Sequence, residues 1–182
     1  MINSNISLFM RYSIHDSGLV ETYLTYPYNL IRMKALKVFI ASDHGGFSLK
    51  QEIYAFISDL GYPIVDLGPL DSVPVDYPDF AVLVCDKVLS EQNSFGILIC
   101  GTGIGMSISA NKINGIRAAN CSEPVSAILS RNHNQANVLC IGARLIGSVM
   151  AQEIVKAFLN AQFEGGRHIP RVQKIQQLEE RK

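Results

Sequence analysis

The stretch Phe95-Gly-Ile-Leu-Ile-Cys-Gly-Thr-Gly-Ile-Gly-Met-Ser-Ile-Ser-Ala-Asn111 decides how the rest of the chain is interpreted. Its apolar run at 97–99 is typical of a buried parallel strand. Three alternating glycines follow the strand, and a helix is predicted over 106–112. A strand, a glycine-rich turn and a helix in this order predict a ligand-binding loop.

Cys100 stands where this strand ends and the glycines begin. Backbone N–H groups in such a turn can point into one concave spot, which favours negative charge. A thiol at that spot is expected to ionise readily, and only the thiolate is a useful base or nucleophile. The sequence therefore predicts a reactive cysteine at this position.

Size and charge limit the classes of protein that fit. The 182 residues suit one domain, and 48% hydrophobic with 18% charged residues is ordinary for a globular protein. Because 16 Lys and Arg balance 16 Asp and Glu, bulk charge attracts neither nucleic acid nor a membrane surface. Any recognition of phosphate must therefore be local.

The four cysteines lie in or beside apolar runs and lack zinc spacing, which predicts reduced thiols in a cytoplasmic setting. Three of them are predicted to be small core residues: Cys85, Cys121 and Cys140. No apolar run approaches the length of a membrane span.

Residues 1–33 show no sustained period and are predicted to be an N-terminal extension, disordered or peripherally packed. They lack the apolar core of a secretory signal. Met10 and Met33 could each begin a shorter product. Residues 34–182 are predicted to form the folded domain.

Strand and helix patterns alternate along that domain. Strands are predicted at 37–42, 63–67, 97–99, 116–121 and 138–141, and helices at 47–60, 78–89, 106–112, 123–131, 149–163 and 172–180. This order predicts an α/β fold with a five-stranded parallel sheet covered on both faces, and a C-terminal helix. In such sheets ligands bind beyond the carboxyl ends of the strands.

Two pairs of polar residues could carry chemistry. Asp43 and His44 follow the first predicted strand, although a helix-capping aspartate and a surface histidine would explain them equally well. His133 and Asn134 lie in the predicted polar loop 131–137. A lone loop histidine is usually solvated, but the two together could manage a proton at a hydroxyl.

Three arginines could bind a phosphate. Arg144 follows the fifth predicted strand, while Arg167 and Arg171 stand four residues apart near a helix start. Guanidinium groups suit forked hydrogen bonds to phosphate. Solvated surface charge explains the spacing equally well.

Residues 101–105, which contain the three alternating glycines, are called the glycine loop. A competing interpretation of this loop is dinucleotide binding, with Glu123 near the spacing of a ribose-binding acid. Met106 stands where the third glycine of that fingerprint belongs, and the loop follows the third strand rather than the first. Both details disfavour this interpretation.

A set of motifs, in order and at matching spacing over about residues 36–181, resembles a known family. They are Ser42-Asp-His-Gly-Gly46, Asp76-Tyr-Pro78, Ile99-Cys-Gly-Thr-Gly-Ile-Gly105, Ala110-Asn-Lys112, Gly115-Ile-Arg-Ala118, Cys121-Ser-Glu-Pro124, Ser130-Arg-Asn-His-Asn134 and Glu164-Gly-Gly-Arg-His168. The chain resembles the sugar-phosphate isomerase family that includes ribose-5-phosphate isomerase B and the galactose-6-phosphate isomerase subunits. Residues 1–33 lie outside the resemblance.

The resemblance implies a Rossmann-like αβα sandwich, a homodimer or a dimer of dimers, and no metal or organic cofactor. The implied reaction interconverts ribose 5-phosphate and ribulose 5-phosphate through an enediolate. The nearest alternative within the family is a six-carbon sugar phosphate. A non-catalytic nucleotide- or phosphate-binding module is the alternative outside the enzyme class.

The resemblance also implies roles for individual residues. Cys100 matches the base that moves a proton between C1 and C2, and His133 matches the acid/base that opens the furanose ring. From the chemistry of the loop itself, the Thr102 hydroxyl is expected to help the loop N–H groups stabilise the enediolate oxygen. Substrate-binding positions are implied for Asp43, His44, Gly101, Thr102, Gly103, Ile104, Gly105, Asn134, Arg144, Arg167 and Arg171. In the family, His133, Asn134 and Arg144 reach the pocket from the neighbouring subunit. One branch of the family has Ser at the Cys100 position and a catalytic Glu at the Ile104 position. This chain has Cys100 and Ile104 and therefore resembles the cysteine branch.

Overall fold

The computed structural model describes residues 36–181, so the predicted extension at 1–33 lies outside the described residues. Five strands are present there: β1 Lys37–Ser42, β2 Ile64–Asp66, β3 Ser94–Cys100, β4 Ala118–Asn120 and β5 Val138–Gly142. The helices of this part are α1 Phe47–Asp59, α2 Tyr77–Ser90, α3 Ile104–Ala110, α4 Pro124–Asn134, α5 Ser148–Asn160 and α6 Ile169–Glu179, with a short 3₁₀ turn at Gly166–His168 before α6. None of these helices is long and apolar enough to cross a membrane.

All neighbouring strands are parallel, in the order β2-β1-β3-β5-β4. The predicted five-stranded parallel sheet is therefore confirmed. β3 lies at its centre, and its last residue, Cys100, pairs with Gly142 at the end of β5. The glycine loop thus leaves the middle of the carboxyl edge.

Two apolar layers cover the sheet. Along β3, Ile97 and Ile99 pack towards α1, α4 and α5, whereas Leu98 and Cys100 pack towards α2 and α3. Since successive side chains of a strand point to opposite faces, a continuous apolar run is what a strand buried on both faces requires. The same alternation directs the Cys100 side chain to the α2 and α3 side.

The helix that follows β4 differs from its prediction at both ends. The Glu123 carboxylate accepts the N–H groups of Val125 and Ser126, so Glu123, the predicted first residue of this helix, is instead its cap. Hydrogen bonds, first that of the Ser126 side chain, lower the pKa of Glu123. An acid occupied in capping disfavours the ribose-binding interpretation.

The same helix continues to Asn134, so His133 and Asn134 lie in its last turn rather than in a loop. The helix ends where Gln135 adopts a left-handed conformation with φ of 51°. Glycine usually supplies that conformation, so the sequence offered no stop signal there. Helix α3 begins at Ile104, two residues before its predicted start, and α5 ends at Asn160, three residues before its predicted end.

Candidate active site

Cys100 lies at the head of the glycine loop with its thiol 3.1 Å from the amide of Gly103, which donates a hydrogen bond to Sγ. The residue is only 4% exposed. Gly103 adopts φ of 77°, which turns the loop back towards the strand end. The structure therefore combines the thiol with a backbone donor, as the sequence predicts.

Arg144 forms one wall of this loop. Its N–H donates to the carbonyl of Gly101 at 3.0 Å, and its side chain passes 3.4 Å from where a Cβ of Gly101 would be. The resemblance assigns Arg144 to the neighbouring subunit's pocket. In the structure it lies against the loop of its own chain, because β5 neighbours β3 and both loops leave the same edge.

Asp43 and His44 follow β1 at the same edge. Asp43 Oδ1 accepts the N–H of Gly46 at 2.9 Å, so the aspartate does stabilise the turn before α1. The same oxygen and Nη2 of Arg144 both lie within 3.5 Å of the Cβ position of Gly45. A buried carboxylate and an exposed guanidinium thus converge beside the loop.

The other wall of the loop contains Tyr77, whose ring lies 2.8 Å from the Cβ position of Gly105. Glycine is required there because any side chain would displace the ring. Ile104 is 52% exposed beside it, and its N–H donates to Thr102 Oγ1 at 3.3 Å. The side chain of His44 accepts the N–H of Val75 at 3.4 Å, which links this histidine to the loop before α2.

A second group of candidate residues surrounds His133. The imidazoles of His133 and His168 stack, with centroids 4.4 Å apart and planes 7° from parallel. Glu164 Oε2 lies 3.8 Å from Nε2 of His133 and 3.6 Å from Nε2 of His168. Asn132 holds this carboxylate, donating from Nδ2 to Oε1 at 3.2 Å.

The surroundings of His168 disfavour its protonation. Burial lowers the pKa of His168, and the charges of His133, Arg167 and Arg171 lower it further, against the opposing effect of Glu164. His168 Nε2 accepts a hydrogen bond from Arg167 Nε at 3.4 Å, as a neutral imidazole can. The folded chain therefore disfavours a proton on His168.

The ligand atoms of His133, Glu164 and His168 all lie within 4.8 Å of one another, a set that could hold a metal ion. A metal lies in the plane of each imidazole that binds it. Parallel stacked rings direct their nitrogens side by side rather than at one point. The arrangement therefore suits proton exchange better than metal binding.

The two groups of residues lie at opposite ends of the strands. Cys100 lies at the carboxyl ends, which form the carboxyl edge of the sheet, and His133 lies at the amino ends, which form the amino edge. Helix α4 runs back from the carboxyl end of β4, and the carbonyl of Asn137 just beyond it accepts the N–H of Gly96. Gly96 precedes Cys100 by four residues, so a strand rise of about 3.3 Å per residue places the thiol roughly 13 Å further on. Within one chain, the loop at Cys100 is separated from His133, Asn134, Arg167 and Arg171.

The remaining cysteines are confirmed as core residues. Burial raises the pKa of Cys85 to about 12 and that of Cys121 to about 11, with the charges of Asp86 and Glu123 adding to the respective effects. Burial also raises the pKa of Cys140 well above its usual value. These thiols are neutral at physiological pH.

Sequence reasoning missed three residues that the structure brings to these groups. Two of them, Glu164 and His168, belong to one motif of the family resemblance, and the Glu164-x-x-x-His168 spacing was the signal that places an acid near an imidazole. Asn120 ends β4, and its amide lies against Gly103. A polar residue at the carboxyl end of a strand was the available signal, since ligands bind at that edge.

The chain is similar to known isomerases over most of its length. The family model described as Ribose/Galactose Isomerase matches residues 38–175. Ribose-5-phosphate isomerase B of Escherichia coli K12 is 49% identical over 146 residues, which span 80% of this chain and 98% of that protein.

Solved structures of ribose-5-phosphate isomerases B are also similar to this chain. Ribose-5-phosphate isomerase B of Clostridium thermocellum has a TM-score of 0.79 at 48% identity, over 80% of this chain and 99% of that one. The Mycoplasma genitalium enzyme, solved with bound ribulose-5-phosphate, has a TM-score of 0.78 at 43% identity, over 82% and 99%. The chain therefore belongs to the ribose/galactose isomerase family.

Proposed function

We propose that this chain is an aldose–ketose isomerase that interconverts D-ribose 5-phosphate and D-ribulose 5-phosphate. The observation that carries the proposal is the thiol of Cys100 at the head of a glycine loop, with the Gly103 N–H directed at its sulfur. Similarity to ribose-5-phosphate isomerases B over nearly their full length supports the choice of substrate.

The reaction needs a base beside C1 and C2 of the open-chain sugar. The thiolate of Cys100 takes the proton from C2, the electrons of that C–H bond form the C1–C2 double bond, and the aldehyde oxygen becomes the enediolate oxygen. A proton passes from O2 to O1, and the thiol returns its proton to C1. Backbone donors aimed at developing charge are each worth about 10²–10³ in rate. In this scheme the N–H groups of the glycine loop and the Thr102 hydroxyl donate hydrogen bonds to the enediolate oxygen.

Ring opening must precede this step. His133 is suited to take the proton from the anomeric hydroxyl and to return one to the ring oxygen. Glu164, whose Oε2 lies 3.8 Å from Nε2 of His133, is a partner for the imidazolium form, and the ring stacks on His168. Asn134 follows it on the exposed end of α4 and is proposed to bind the sugar.

The active site is proposed to form between two copies of the chain. The thiol and His133 lie at opposite edges of one sheet, so a second copy related by a two-fold axis is needed to supply one group to the other. Exposed apolar side chains on α3 and α4 could be buried in this interface. The exposed ones include Ile104, Ile108, Val125, Ile128 and Leu129.

The phosphate is proposed to lie between arginines of the two edges. Arg144 lies beside the glycine loop, while Arg167 lies beside His168 at the other edge. Arg171 is close enough to His168 to lower its pKa. Binding energy from this distant group can orient the reacting carbons. The four free cysteines support the proposal that the protein is cytoplasmic.

A coupled assay that compares ribose 5-phosphate with allose 6-phosphate and galactose 6-phosphate tests the substrate. Conversion of ribose 5-phosphate with the highest kcat/KM is expected. Preference for a six-carbon substrate would replace the pentose assignment, and loss of all three activities would overturn the isomerase assignment. The Cys100→Ala variant supplies the background rate.

A further inference from the structure

The peptide between Thr102 and Gly103 is held from two sides. Asn120 Nδ2, at the end of β4, donates to the Thr102 carbonyl at 3.4 Å. On another side, a Cβ at Gly142 would lie 2.6 Å from the carbon and oxygen of that carbonyl, so the peptide packs directly on the backbone of β5. The carbonyl is therefore fixed in one direction.

The direction of this carbonyl determines whether the N–H or the C=O of the peptide faces the Cys100 sulfur. In a trans peptide the C=O and N–H point in opposite directions. With the Thr102 oxygen turned to Asn120, the Gly103 N–H points at Sγ, which it reaches at 3.1 Å. A peptide flip would instead turn the carbonyl dipole towards the sulfur and disfavour a thiolate.

We propose that Asn120 is a positioning residue for Cys100, whose carboxamide holds the Thr102–Gly103 peptide in the orientation that stabilises the thiolate. A second contact supports this role. The Asn120 Oδ1 atom lies 2.2 Å from where a Cβ of Gly103 would be, so the carboxamide sits directly on the left-handed glycine. Asn120 acts on the loop and not on the substrate.

Titratable and charged groups from several elements also lie near the glycine loop. Towards α2 and β5 the Cys100 sulfur faces Cys85 and Cys140, which are neutral because burial raises their pKa values. Helix α3 contains no titratable side chain. Asp43 after β1 and Arg144 after β5 flank the loop with opposite charges. The local donor that Asn120 controls is the Gly103 N–H.

The inference rests on the proposed role of Cys100, but its test requires no substrate. We would measure alkylation of Cys100 by iodoacetamide from pH 5.5 to 9.5, in the full chain, for wild type, Asn120→Ala and Asn120→Asp. Trypsin separates Cys100, in peptide 88–112, from Cys121, in peptide 118–131. Mass spectrometry can therefore follow each thiol separately.

Loss of one hydrogen bond of ordinary net strength predicts a fall of roughly 2- to 10-fold in the rate at pH 7, with the profile displaced to higher pH, for Asn120→Ala. Asn120→Asp keeps the shape but replaces the donor with a charged acceptor, so at least as large a fall is expected. Asn160→Ala, an exposed asparagine on the last turn of α5, is the matched control and should keep the wild-type profile.

Wild-type alkylation profiles in both Asn120 variants would overturn the inference. A fall in alkylation with an unchanged pH profile would also overturn it, since that result would indicate altered access to the thiol. Asn120 is exposed on a three-residue edge strand, so the variants should remain folded. Unchanged circular dichroism and urea midpoints check this. If all forms lack isomerase activity but alkylation responds as expected, the proposed function fails while the positioning role stands.

Discussion

Cys100 and His133 lie at opposite edges of one parallel sheet, the first at the end of β3 and the second in the last turn of α4. The N–H of Gly96 in β3 donates to the carbonyl of Asn137 at 3.0 Å, so the chain just after α4 lies beside the first half of β3. Helices that return antiparallel to the strands must end at the amino edge. Within one chain the fold thus separates Cys100, the proposed base, from His133, the proposed acid/base.

Gly103 is expected to tolerate no side chain. A Cβ would lie 2.2 Å from Asn120 Oδ1, and φ of 77° strains any L-residue. Gly103→Ala should lower kcat by about 10²-fold or more, because the loop loses the donor on Cys100. Steady-state kinetics would check this. Gly147→Ala, where no atom lies within 4 Å of the added Cβ, should retain activity, and equal losses in both variants would contradict the prediction.

His133→Ala is expected to distinguish ring opening from isomerisation. The variant should lose about 10²–10⁴ in kcat/KM with a cyclising substrate, the usual contribution of general acid–base catalysis. With a short sugar phosphate that cannot form a ring, the loss should be much smaller. Rates with both substrates measure the difference. Equal losses would remove the ring-opening role from this histidine.

His168 should make stability depend on pH. Burial and the neighbouring cations lower its pKa in the folded state, so the unfolded chain takes up the proton more readily, near the ordinary value of about 6.5. This contribution to the free energy of unfolding is complete above about pH 6.5 and decreases as the pH falls below it. Urea midpoints at pH 7.5 and 5.5 should therefore differ more in wild type than in His168→Gln. An unchanged difference would assign the effect to other groups, and His44→Gln, at an exposed position, is the control.

Removal of the Lys50 charge should lower the free energy of unfolding more than removal of the Lys37 charge. Its ammonium is fully buried and donates to both oxygens of Asp66, at 2.8 and 2.7 Å, and to the carbonyl of Pro69. Lys50→Met leaves a partly buried carboxylate unpaired and should cost about 3 kcal/mol of unfolding free energy. Lys37→Met breaks the more exposed pair with Glu91 and should cost less than about 1 kcal/mol. Similar urea midpoints for the two variants would contradict this ranking.

The central strands were predictable because their signal is local. β1 occupies 37–42 as the sequence predicts, and β3 contains the apolar run at 97–99. A strand buried on both faces needs consecutive apolar residues, and that demand is visible without any tertiary information. The position of Cys100 beside the glycine loop follows for the same reason.

The surroundings of the site were less accessible because they depend on packing between distant elements. His133 lies in a helix since Gln135, not a glycine, supplies the left-handed stop. The start of α3 at Ile104 was missed because Gly105 suggested a turn, whereas the Tyr77 ring fills the space of its missing side chain. The contact of Asn120 with the glycine loop arises from the position of β4 beside β5.

A hybrid dimer tests most directly whether one active site combines Cys100 of one subunit with His133 of the other. Differently tagged Cys100→Ala and His133→Ala chains would be co-expressed, and the hybrid purified through both tags. One of its two sites carries both substitutions, and the other carries neither. A hybrid of two tagged Cys100→Ala chains is the inactive control.

The measurement is the rate of ribose 5-phosphate isomerisation by this hybrid. We expect about half of the wild-type activity per dimer, since closed two-fold symmetry leaves one site intact. A hybrid as inactive as its two parents would contradict the shared site, because it would mean that each chain supplies both residues to its own pocket.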